Sequence, residues 1–190
     1  GGADCGACGQ TAFGKAMMGR PIVLETSRLI LRPHEVGDFA DMVSLWTEPE
    51  VTRFTSGNKP RTPEECWRNL LSHRGSWTLL GFGYFAICEK TSGAFIGEAG
   101  LADSMRQISP NLAGLAEAGW AILPSDWGRG YAFEAMTAIL EWYSASAHPR
   151  PVVCIMNPAN ESSFRLASKL GFKEKTITEY NGNTCLMMEL

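Results

Sequence analysis

The sequence predicts a single mixed α/β domain, built on a mostly antiparallel sheet of about seven strands with flanking helices. Three observations predict it. The chain has 190 residues, 45% of them hydrophobic and 10% aromatic, which suits one packed core. From Ile22 onward, strand-like and helix-like apolar patterns follow one another in the order β α α β β β α β α β β, without an internal repeat. Two short links, Thr91-Ser92-Gly93 and Asn181-Gly182-Asn183, join apolar runs as hairpin turns do, whereas Ala116 to Met156 reads as one β-α-β crossover.

The opening stretch, GGADCGACGQTAFGKAMMGR, is glycine-rich and aperiodic. It reads as a flexible leader over residues 1–20, native or left from expression, ahead of a domain at 21–190. Cys5-Gly-Ala-Cys8 has the spacing of half a zinc site or a redox pair. No second Cys or His pair lies nearby to complete four ligands, so no metal is expected.

Leu29-Ile30-Leu31 starts the sheet, and Asp38 to Glu48 carries Phe39, Met42, Val43, Leu45 and Trp46 at helical intervals. Thr62 then has the features of a helix N-cap, with Pro63 at the first helical position and Glu65 at the capping-box spacing; that helix is expected to end near His73. Gly83–Lys90 and Ala94–Leu101 read as an antiparallel pair, 103–114 as loop, and Ala116–Leu123 as a strand. After the glycines of WGRGYAFEA, Ala132, Met136, Ile139, Leu140 and Tyr143 recur at helical spacing. The strand RPVVCIM, a helix from Asn157 to Leu170, and a hairpin of Phe172–Tyr180 with Thr184–Leu190 complete the order. Asn157 reads as the N-cap of its helix, with Pro158 at the first helical position.

Composition excludes several classes. A formal charge of -3 argues against a sequence-independent grip on nucleic acid, and no apolar run approaches the eighteen residues of a membrane span. Of six cysteines, Cys88 and Cys154 sit inside apolar strand-like runs and read as small core residues, so a reducing, cytoplasmic setting is expected.

The chemistry gathers in three places. Gly128 and Gly130 stand at a strand-to-helix turn, where unpaired helix N–H groups and bare backbone suit an anion such as phosphate; a plain tight turn is the alternative. No Lys-Ser or Lys-Thr follows the last glycine, so this is not a nucleotide P-loop. Ser163 shares a helix face with Leu166, Ala167 and Leu170, and its hydroxyl there needs a partner. Glu117 alternates with Gly119 and Ala121 on one strand face, a carboxylate among small neighbours that leaves room for a ligand.

Three segments in order, LETSRLILRP, GWAILPSDWGRGYAFEA and NPANESSFRLASKLGF, resemble the GNAT acyl-CoA N-acyltransferases, and within them the RimJ/RimL-like branch of ribosomal-protein N-terminal acetyltransferases. The likeness spans Ile22 to Leu190. It implies that the loop Trp127, Gly128, Arg129, Gly130, Tyr131, Ala132, falling on the family's Arg/Gln-x-x-Gly-x-Gly/Ala pattern, cradles the pyrophosphate of acetyl-CoA; Trp127 departs from the first position. It also implies a backbone N–H near Ile122 and Leu123 polarising the thioester carbonyl, and Asn157 and Asn160 near the pantetheine arm. Lys169, off the Ser163 face, reads as solvated, with a coenzyme phosphate contact as the alternative. Ser163 would protonate the departing thiolate, and Glu117, with Glu98 in reserve, would act as base.

The implied activity is metal-free transfer of acetyl from acetyl-CoA to a primary amine, with a peptide N-terminus the favoured acceptor. A small amine as acceptor, or a non-catalytic acyl-CoA sensor, are the alternatives. Trp46, Phe54, Trp67 and Trp77 are either acceptor-pocket lining or core. The exposed edge of the closing hairpin suggests a homodimer.

Overall fold

The computed structural model describes residues 21–55 and 58–190. The leader and its Cys5-Cys8 pair lie outside them. The elements are β1 (Leu24–Glu25), β2 (Leu29–Pro33), α1 (Phe39–Thr47), α2 (Pro49–Thr52), α3 (Pro63–Leu80), β3 (Tyr84–Glu89), β4 (Phe95–Ala102), β5 (Ala116–Ile122), α4 (Tyr131–Ser144), β6 (Val152–Met156), α5 (Glu161–Lys169), β7 (Lys173–Tyr180) and β8 (Asn183–Glu189). They form one sheet of eight strands in the order β1-β2-β3-β4-β5-β6-β8-β7. The additional strand over the expected seven is the two-residue β1, too short to leave an alternation pattern in the sequence. All pairs are antiparallel except β5 with β6, because the α4 crossover returns the chain in the same direction.

Strand alternation divides the side chains between two cores. One face carries Leu31, Phe85, Ile87, Leu101, Ala118 and Cys154 against Met136 and Ile139 of α4 and Ala167 of α5. The other carries Ala86 and Ala121 against Met42, Leu45 and Trp46 of α1 and Cys66 and Leu70 of α3. Leu31, Leu70 and Ile87 are at most 1% exposed, so truncating any one of them to alanine is expected to cost about 2–5 kcal/mol.

Two helix boundaries differ from expectation. Thr62 caps α3 in a full capping box with Glu65, but the helix runs past His73 to Leu80 and stops at Gly81 in the left-handed region, φ +75°. Packing overrides the weak helix former Gly75: Trp77 sits on Phe85 and Trp142 and donates its indole N–H to the Tyr84 carbonyl at 2.9 Å. At the other site the chain makes a turn before α5. The Asn157 side-chain oxygen accepts from Ala159 N at 2.9 Å, and the N-cap is Asn160, whose oxygen accepts from Ser163 N at 3.1 Å. Asn157 and Pro158 therefore precede the helix; Asn157 spends its oxygen on the local turn.

Candidate active site

Between β5 and α4 the chain turns through Gly128 and Gly130, both left-handed at φ +73° and +79°. A Cβ on Gly128 would meet nothing within 4 Å, so backbone conformation and not space requires this glycine. Gly130 is the N-cap of α4 and supplies no side-chain cap, which leaves the first N–H groups of a fourteen-residue helix for another acceptor. The turn is held from behind. Trp127 donates its indole N–H to Ile122 O at 2.7 Å, and Arg28 donates to Arg129 O at 2.9 Å and to Glu134 Oε2 at 2.7 Å. Thr26, Ser27 and the Arg28 amide also donate to Glu134.

The side chains of the turn find partners within it. The Arg129 guanidinium turns back to Asp126 at 2.8 Å and lies over the Tyr131 ring at 4.7 Å. Tyr131 is buried, so at this position and at Ala132 it is backbone that the turn offers to an anion. Lys169 packs over Phe133, 4.1 Å from the ring centroid.

Beside the turn, the sheet opens. β5 and β6 pair at Ala116–Val152, Glu117–Val153 and Ala118–Cys154 and then part. Leu123 N donates to Ile96 O at 2.9 Å, so by alternation the amides of Gly119 and Ala121 face β4, while those of Trp120 and Ile122 face the fork left by β6. Of the two amides expected near the thioester carbonyl, that of Ile122 faces this fork and that of Leu123 is committed to β4. On the α5 side of the fork Trp120 donates its indole N–H to Ser163 Oγ at 3.3 Å, which leaves the hydroxyl proton of Ser163 to donate elsewhere.

Glu117 lies on the opposite face with Gly119 and Ala121, as alternation requires, but it is not an open carboxylate. Arg106, from the 103–114 loop, grips both its oxygens at 2.7 and 2.8 Å and stacks over Tyr180. Above Gly119 sits the Tyr84 hydroxyl, so close that any side chain at 119 would collide with it. Burial pushes the Tyr84 phenol well above its ordinary range, reinforced by Glu117 and Glu98.

Glu98 is 1% exposed and enclosed. His34 Nε2 lies 3.1 Å from one oxygen; Trp46 donates its indole N–H to the other at 3.0 Å, with His73 Nε2 3.6 Å from that second oxygen. Burial alone favours the neutral acid, but the two histidines outweigh it and hold Glu98 far below the usual carboxylate range. The His73 ring stacks on Tyr84 at 4.7 Å, and Arg61 stacks on Trp46 at 3.5 Å. Trp46 and Trp77 thus belong to packed clusters, while Trp67 packs edge-on against Phe39. His34, His73, Tyr84 and Arg106 carried no motif. The one available signal was that two of the chain's three histidines follow or sit within well-patterned elements.

The model of the acetyltransferase (GNAT) domain matches residues 28–173, most of the chain. The chain belongs to the GNAT acetyltransferase family. It is an acetyltransferase of that type. The GNAT chain is similar to the uncharacterized N-acetyltransferase p20 of Bacillus licheniformis, at 28% identity over 83% of this chain and 86% of that one. Its fold superposes on a putative GnaT-family acetyltransferase from Bordetella pertussis with TM-score 0.76 and 30% identity, covering 88% of this chain and 98% of the other. The RimL ribosomal L7/L12 α-N-protein acetyltransferase, solved in complex with coenzyme A, shares the fold with TM-score 0.73 at 14% identity, over 89% and 97% of the two chains.

Proposed function

We propose that this GNAT enzyme acetylates a primary amine from acetyl-CoA, and that its favoured acceptor is the α-amine of a peptide or protein N-terminus. The site suits acetyl-CoA: the uncapped start of α4 and the bare backbone of Gly128 and Gly130 would hold the pyrophosphate, and the fork with its Trp120 and Ile122 amides would take the pantetheine end. Asn160 would reach that arm through its amide nitrogen, since its oxygen caps α5. Acetyl-CoA supplies an activated thioester. Ile122 N–H would polarise its carbonyl, and Ser163 Oγ, oriented by Trp120, would give its proton to the sulfur.

The observation that carries the acceptor is the Arg106 clamp on Glu117. With both Glu117 oxygens engaged by the Arg106 guanidinium, taking a proton from the acceptor would cost that pairing. The acceptor must then bring its own neutral fraction. An α-amine, with a reference pKa near 8, has about a tenth neutral at pH 7, whereas a lysine side chain near 10.4 has well under a thousandth. On this reading Glu117 positions the amine and does not itself take its proton, and Glu98 is enclosed by His34, His73 and Trp46.

A cytoplasmic location fits the free thiols of Cys66, Cys88, Cys154 and Cys185. A homodimer through β7 is the assembly this reading favours, since β7 ends the sheet. The deciding experiment offers the enzyme acetyl-CoA with peptides bearing free α-amines, Nα-blocked lysine peptides, free amino acids, polyamines and aminoglycosides, and reads acetylated product by mass. Selective turnover of peptide α-amines supports the proposal; selective turnover of lysine side chains or polyamines overturns it.

A further inference from the structure

The cluster around Glu98 has a second chemistry that the transfer reaction does not use. His34, His73 and Glu98 bring two imidazoles and a carboxylate together, with donor atoms all within 4.8 Å of one another. We propose that these three residues bind one divalent transition-metal ion of the zinc class, with a coordination position left open toward the acceptor face.

The spacing suits an ion. Ligands about 2.0–2.1 Å from a tetrahedral metal stand roughly 3.3 Å apart. His34 Nε2 is 3.1 Å from Oε2 of Glu98 and His73 Nε2 is 3.6 Å from Oε1, so the imidazoles flank the two oxygens of one carboxylate at separations near that value. The donor set is that of open zinc sites, two borderline nitrogens with one carboxylate.

The ligands are already held in place. His34 and Glu98 are at most 1% exposed, Trp46 fixes one oxygen of Glu98, and His73 lies between the rings of Tyr84 and His34 at 4.7 and 4.9 Å. Most telling is His73 Nε2: it is buried and faces Glu98 Oε1 at 3.6 Å, close enough for an ion pair but too far for a hydrogen bond, and His34 Nδ1 is likewise buried without one. A buried nitrogen without a hydrogen bond is costly, and an ion between His73 and Glu98 would use its lone pair. Access comes through His73, whose side chain keeps 17% of its surface. Arg61, stacked on Trp46, contributes opposing positive charge and will moderate the affinity.

Because Tyr84 stacks on His73 and reaches over Gly119, an ion there would obstruct the amine. This consequence rests on the acceptor reading of that face; the metal site itself does not. The test uses the 190-residue chain freed of metal with a chelator, with Cys5→Ser and Cys8→Ser removing the Cys5-Cys8 thiol pair. Zinc is titrated calorimetrically, and cobalt is followed by its visible bands. The expected result is one ion per chain, with nitrogen and oxygen but no sulfur ligation, and binding weakened by about 100-fold or more in His73→Gln, since even outer partners are worth 10–100-fold. His34→Gln, checked for folding by circular dichroism, should behave alike, and exposed His148→Gln should not. No binding, or binding unchanged in His73→Gln, overturns the site whether or not acetylation is found. Zinc that binds through His73 yet leaves amine acetylation untouched upholds the site and removes the acceptor from that face.

Discussion

Arg106 holds Glu117 by both carboxylate oxygens, at 2.7 and 2.8 Å, on the sheet face where Tyr84 reaches over Gly119. The pairing engages both oxygens of the carboxylate that the sequence offers first as base. If the enzyme lacks a strong base, its rate must follow the ionisation of the acceptor.

With a peptide α-amine, kcat/KM should rise about ten-fold per pH unit below pH 8 and then level, whereas a lysine side chain should keep rising. At pH 7 the α-amine should be preferred by about two orders of magnitude, and the ratio should shrink above pH 8. Initial rates from pH 6 to 9.5 on paired Nα and Nε peptides measure this; a constant ratio across the range would mean that the enzyme supplies the base.

Replacing Ser163 with alanine should lower kcat by about 10²-fold or more, the usual range for a lost proton donor. KM for acetyl-CoA should change little. Trp120→Phe, which keeps the ring but removes the donor to Ser163 Oγ, should show a smaller loss of the same kind. Steady-state kinetics separate the two parameters, and a Ser163→Ala enzyme of full kcat removes the serine from the chemistry.

Gly130→Ala puts a Cβ on a residue at φ +79° at the start of α4. Left-handed backbone costs a non-glycine residue about 1–2 kcal/mol, so the melting temperature should drop by a few degrees and coenzyme A should bind more weakly. Calorimetry on coenzyme A reads the second effect. Unchanged affinity would place the pyrophosphate elsewhere.

Glu134 sets an acid limit on stability. Burial alone would push its carboxyl up, but hydrogen bonds from Thr26, Arg28 and Ser27 more than reverse this and bring it down to about 2 from an ordinary 4.5. A depressed folded value means that the unfolded chain takes up the proton first as pH falls. The contribution is therefore complete above about pH 4.5 and is lost toward about pH 2. Urea midpoints at pH 5 and pH 3 should fall further for the native chain than for Glu134→Gln; equal falls would show that this carboxylate is not responsible.

The strands other than the two-residue β1, and the crossover, were legible in the sequence because each carries its own period, and the glycine turn because glycine takes φ near +75° without strain. Alternation even assigned Glu117 to its correct face. What it could not supply was the partner: Arg106 lies in a loop without period, and His34, His73 and Glu98 meet from a strand end, a helix and a strand, with His34 and Glu98 64 positions apart. Helix ends failed for a similar reason. Trp77 extends α3 through contacts with Phe85 and Trp142, and the second of these lies far along the chain.

The parting of β5 from β6 after Ala118 makes the sheet a partition with a window in it. Ser163 stands on one side and Glu117 on the other. On the proposed reading, donor and acceptor come to this window from separate rooms. Neither has to leave before the other enters, so the kinetics should be those of a ternary complex. The acceptor room, walled by α1, α3 and the 103–114 loop, can also be refurnished for a new amine without disturbing the coenzyme.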